Sequence, residues 1–124
     1  MYKSMKNSYL IVLRKILKDN CNINLVLLGS LNLVIHNIPT DIHDLDLITD
    51  DSGVEKVANI YNSEVFQDSH GCKQTKFTLD EIAIHVVSTH NNYFTQDIHL
   101  NNDVEIIKID GLLIQCLKIG VDLK

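Results

Sequence analysis

Apolar residues recur along this chain in three different rhythms, and each rhythm predicts a kind of element. Near the start, Met5, Tyr9, Val12, Leu13, Ile16 and Leu17 fall at i, i+4, i+7, i+8 spacing with lysines opposite them, which predicts an amphipathic helix over 4–19. After the break at Asn20-Cys21-Asn22, residues 24–28, Asn24 followed by four apolar residues, form a run of the length of a buried strand. The run stops at Gly29. Ser30 is placed to cap a short helix whose apolar face is Leu31, Val34 and Ile35. Residues 37–43, with the only proline, read as a loop, and Leu45, Leu47 and Ile48 mark a second strand in which acids alternate with leucines. Asp50, Asp51 and Ser52 are cap residues for a short, solvent-facing helix carrying Val54, Val57, Ala58 and Tyr61. Residues 73–79 and 82–88 are strand-like and separated only by Asp80-Glu81, the spacing of a tight hairpin. Residues 91–102 are polar and irregular, 104–109 form a further strand, and Asp110 opens a final helix bearing Leu112, Leu113, Cys116, Leu117 and Ile119.

That order of elements predicts an α/β or α+β fold, a mixed β-sheet flanked by helices. A length of 124 residues allows one domain over 1–124 with a genuine core, and 45% hydrophobic residues against 22% charged ones predict a folded chain. A formal charge of -5 opposes strong non-specific binding to nucleic acid or an anionic membrane, so any polyphosphate must be engaged locally. Three cysteines, odd in number and without C-x-x-C spacing, argue against a disulfide framework and for a cytoplasmic setting. The apolar run of the N-terminus is broken by Arg14 and Lys15, too short for a membrane span. None of the six histidines has the spacing that sets two zinc ligands on one helix face.

Chemistry concentrates in two places. Asp44 and Asp46 lie two apart in a predicted strand, so both carboxylates face one way while Leu45 and Leu47 face the other. Like charges that close need a cation, and hard oxygen ligands suit Mg²⁺ or Mn²⁺. Gly29-Ser30 directly follows a buried strand, where free backbone amides bind anions, Gly allows close approach and Ser adds a donor.

The combination LVLLGS, thirteen residues, then DLDLIT resembles the signature of the DNA polymerase β-type nucleotidyltransferase superfamily. The likeness extends through KFTLDEIAIHVVS and, as a closing helix, IIKIDGLLIQCLKIG. Small bacterial members are similar in layout: the minimal nucleotidyltransferases of toxin–antitoxin pairs and the lincosamide-type antibiotic nucleotidyltransferases. The resemblance implies that Gly29 and Ser30 grip the triphosphate of an NTP and that Asp44 and Asp46 hold Mg²⁺ or Mn²⁺. An acceptor hydroxyl on a small molecule, protein or RNA would then attack the α-phosphate.

The superfamily's third carboxylate belongs on the hairpin's second strand, where this chain has Ile84-His85-Val86. His85 could serve as a neutral ligand or a general base, its ordinary pKa near 6.5 suiting either role. Glu81 on the same face lies four residues back, roughly 13 Å along a strand. The remaining alternative is a catalytically degenerate domain that binds nucleotide or, antitoxin-like, a protein. Lys73 and Lys76 are candidates to meet phosphates or an acceptor. The acceptor site is expected to involve a second copy or a protein partner, because the chain has no appended helices after the closing one.

Overall fold

The computed structural model describes residues 2–92 and 102–122. Among the described residues seven strands form one mixed sheet: β1 (Val26–Leu28), β2 (Leu45–Thr49), β3 (Val65–Gln67), β4 (Lys73–Leu79), β5 (Ile82–Ser88), β6 (Val104–Ile109) and β7 (Leu112–Leu117), in the spatial order β3-β4-β5-β2-β1-β7-β6. Neighbours pair antiparallel except at β2/β5 and β1/β7, which are parallel. Helices α1 (Tyr2–Asp19), α2 (Gly29–Ile35) and α3 (Asp51–Tyr61) accompany the sheet, and α4 (Ile119–Asp122) closes the described chain.

The period-2 alternation of the strands decides which residues meet the helices. Leu27, Leu45, Leu47, Ile84, Val86, Ile114 and Cys116 project to one face, where they join Leu13 and Ile16 of α1, Leu31 of α2, and Val54 and Val57 of α3 in a single core. The opposite face holds a smaller cluster of Val26, Ile48 and Leu117. Its strands are therefore free to carry polar groups elsewhere on that side.

Short polar links fix how the helices sit. The Asp50 carboxylate accepts from the Gly53 amide at 2.7 Å and caps α3. Ser88 Oγ donates to Asp51 at 2.5 Å, ties the start of α3 to the end of β5 and draws the Asp51 carboxyl below its usual pKa. At the other end of α3, Tyr61 stacks on Phe77 with centroids 4.5 Å apart and donates to Asp19 at 2.9 Å. Burial first, and then Asp19, push the Tyr61 phenol up to about 12.

Three expectations change. α3 is not solvent-facing: Val54 and Val57 are 0% exposed, and Gly53 lies so close to Thr49 that a Cβ there would strike its hydroxyl. Strand β3 was not expected, because its three exposed residues on the sheet edge bear no alternation. The largest correction concerns 110–119, expected as a helix: residues 112–117 are strand β7. Asp110 (φ 50) and Gly111 (φ 81) turn the chain back on β6 as a two-residue hairpin loop. Ile114 and Cys116 then alternate inward while Leu113, at 63% exposure, points out. The run LLIQCL satisfies both a helical and a strand period, and the vacant edge of β1 decides between them. The expected irregular stretch at 91–102 lies mostly outside the described residues.

Gly111→Ala separates hairpin from helix. No atom lies within 4 Å of a Cβ at this position, so only the left-handed backbone resists the change. Urea unfolding should show a loss of about 1 kcal/mol, whereas a helix would gain from alanine by a similar amount.

Candidate active site

Register brings the separated motifs to one residue, Asp46. In the β1/β2 pair Asp46 lies opposite Leu28, the last residue before Gly29. Gly29 has φ +80, and a Cβ on it would collide with the Asp46 carboxylate. The Gly-Ser turn and the D-x-D strand are therefore one structural unit. In the β2/β5 pair Asp46 neighbours His85, whose Nδ1 lies 3.8 Å from Asp46 Oδ1. That distance is too long for a hydrogen bond.

Ser30 is placed differently from the expectation. It does not cap α2; the N-cap is Leu28, with no side-chain cap hydrogen bond. Instead its hydroxyl accepts from the His43 backbone N–H at 3.1 Å, which clamps the loop running into Asp44 and leaves the hydroxyl's own proton to be donated. Tyr9 of α1 supports the same loop, its hydroxyl 3.4 Å from the carbonyls of Ile42 and His43. Burial and the nearby Asp44 charge both raise the Tyr9 pKa, so the phenol stays a donor.

The His85 tautomer follows from a chain of hydrogen bonds. Asp68, held below its ordinary pKa first by the Cys72 backbone N–H, accepts from Gln74 Nε2 at 3.0 Å. With its amide nitrogen so engaged, Gln74 turns Oε1 to His85 Nε2 at 2.6 Å. An amide oxygen only accepts, so Nε2 carries the ring proton and Nδ1 presents a lone pair toward Asp46. Burial, then the Lys76 charge, lower the His85 pKa, opposed by Asp44. The ring is neutral at pH 7, poised to donate an electron pair.

Among the remaining candidates, Lys76 lies directly opposite His85 on β4 and lines a cleft of about 350 Å³ with Asp44, Thr78, Ala83 and His85. Its ammonium stands 5.9 Å from the Phe66 ring centroid, a cation–π distance. Lys73 is on the other face by alternation and pairs with Glu55 at 3.0 Å, so it does not join the group. Glu81 sits in the hairpin turn at φ 69 and is absent from the cleft lining. Sequence reading missed Gln74 and Tyr9. Gln74 shares its strand face with Lys76, a signal that becomes usable only once the hairpin register is fixed.

Crowding between Gly29 and Asp46 gives a direct test. Gly29→Ala should destabilise the fold, and removing the carboxylate in Gly29→Ala/Asp46→Ala should relieve part of that loss. A double-mutant cycle in urea should yield a coupling of about 1 kcal/mol or more; strict additivity would show that the contact is absent.

Comparison with known proteins bears on the family and the fold. Residues 11–111 match the family described as Aminoglycoside-2''-adenylyltransferase. No curated protein matches at a significant level. The fold is similar to the crystal structure of a candidate nucleotidyltransferase from Thermotoga maritima, with a TM-score of 0.79 and 22% identity, covering 94% of this chain and 81% of that one. No helix among the described residues is long and apolar enough to cross a membrane. With the family match spanning most of its length, the chain belongs to the Aminoglycoside-2''-adenylyltransferase family of the nucleotidyltransferase superfamily.

Proposed function

We propose that this chain, read as one domain, is a divalent-metal-dependent nucleotidyltransferase that moves an NMP from an NTP, such as ATP, to an acceptor hydroxyl. The observation that carries the reading is the convergence on Asp46: Gly29 on one side, His85 Nδ1 on the other. Asp44 and Asp46 offer oxygen ligands and His85 a neutral nitrogen, a donor set suited to Mg²⁺ and better to Mn²⁺, which tolerates imidazole more readily. The 3.8 Å between Asp46 Oδ1 and His85 Nδ1 is less than twice a metal–ligand bond of about 2.1 Å. Of the two roles open to His85, ligand is favoured, because the lone pair faces Asp46.

Gly29 and Ser30 would hold the triphosphate, Gly29 by close approach of its backbone and Ser30 by its free O–H. Lys76 would neutralise phosphate charge or position the acceptor at the cleft mouth. The acceptor oxygen bonds to the α-phosphorus as the bond to pyrophosphate breaks, and the hydroxyl proton leaves to a base or water. A divalent ion bound at Asp44 and Asp46 would neutralise charge on the phosphoryl oxygens and leaving group. The family's description names an aminoglycoside as acceptor, and a chain with a formal charge of -5 suits a polycationic sugar. Three cysteines without disulfides suit a cytoplasmic protein.

His85 in place of a carboxylate supports a second reading, a degenerate domain that binds nucleotide without turnover. Pyrophosphate release measured with each NTP and a panel of hydroxyl acceptors separates the two. The wild type should release pyrophosphate with Mn²⁺ above Mg²⁺, and Asp46→Ala should lower release about 100-fold or more. His85→Asp should shift the preference toward Mg²⁺. Nucleotide binding without release, under every acceptor, would leave only the second reading.

A further inference from the structure

A second group of metal-type ligands lies on the opposite, helix-covered face of the sheet. Glu105 and Cys116 are direct partners across the β6/β7 pair, and their side chains therefore share a face. His36, the C-cap residue of α2, reaches the same point, and one ligand atom from each of the three lies within 4.8 Å of the others. His36 is held at both ring nitrogens. Nδ1 is 2.8 Å from the Asn32 carbonyl oxygen and Nε2 is 2.6 Å from Glu105 Oε1. The carbonyl only accepts, so Nδ1 donates to it, and Nε2 shares a proton with the Glu105 carboxylate. A divalent ion can take that proton's place between nitrogen and carboxylate.

We propose that His36 Nε2, Glu105 and Cys116 Sγ form a binding site for a thiophilic divalent ion, Zn²⁺ in the first place. One nitrogen, one oxygen and one sulfur are a zinc donor set, leaving the fourth tetrahedral position to water. The Asn32 carbonyl on Nδ1 is the outer contact that orients a metal-bound histidine. Tetrahedral bonds of about 2.0–2.3 Å place ligand atoms roughly 3.3–3.7 Å apart, so the His36–Glu105 gap opens by about 1 Å. Glu105, 41% exposed, has room to make that shift, and its side is the entry path; Cys116 is wholly buried and fixed. Binding releases the thiol proton and the proton shared by His36 Nε2 and Glu105. The ion would join α2, whose first residues are Gly29 and Ser30, to the β6–β7 hairpin.

The test is Co²⁺ titration of the full chain after chelator treatment, followed by Zn²⁺ displacement. One equivalent should give a tetrahedral visible spectrum with a thiolate charge-transfer band, which Zn²⁺ abolishes while raising Tm. Glu105→Gln, at a half-exposed position that leaves the fold intact by circular dichroism, should weaken binding at least 10-fold, and Cys116→Ala should remove the charge-transfer band. Asp46→Asn should leave the band unchanged, which separates this site from the nucleotide cleft. Absence of the band at stoichiometric Co²⁺, or its persistence in Cys116→Ala, overturns the proposal.

Discussion

The contact between the Gly29 backbone and the Asp46 carboxylate is the constraint on which the candidate site depends. No side chain larger than hydrogen is accommodated at Gly29, and its backbone takes a left-handed conformation that only glycine adopts without strain. Because β1 and β2 are antiparallel with Leu28 opposite Asp46, the chain leaves β1 beside the carboxylate it must approach. The parallel pairing of β2 with β5 then sets His85 on the far side of the same residue. Three segments distant in sequence meet through sheet register alone, with no long side chain reaching across.

The division of labour between the faces of the sheet makes this possible. Helices α1, α2 and α3 bury the leucines and valines of one face, so burial energy is concentrated there. The other face needs only the small Val26, Ile48 and Leu117 cluster and carries Asp46, His85, Gln74 and Lys76 on neighbouring strands. Gln74 and Asp68 matter because a histidine in a carboxylate's position has two nitrogens, and an anchored Nε2 presents Nδ1 to Asp46.

How much of this was legible in the sequence depended on the range of the interaction. The 73–79 and 82–88 hairpin was readable to the residue because Asp80 and Glu81 form a local turn, both with positive φ. The two-residue period placed Asp46 correctly within β2, between the buried Leu45 and Leu47, whereas Asp44 falls just before the strand. The run 112–117 was misread as helix because its apolar pattern fits both periods, although Asp110-Gly111 is itself a hairpin signal. Lys73 and Lys76 looked equivalent in sequence; alternation sends one to Glu55 and the other to the cleft. The cluster of His36, Glu105 and Cys116 has no local spacing at all and exists only through the order of strands.

The central claim is that Asp46 and His85 ligate one ion at the phosphate-binding turn. Pulsed electron paramagnetic resonance of Mn²⁺ bound to the chain with tripolyphosphate, a ligand free of nitrogen, tests it most directly. The account predicts a coupling to a directly bonded imidazole nitrogen that disappears in His85→Asp. A Mn²⁺–tripolyphosphate complex with no nitrogen coupling in the wild type would contradict it.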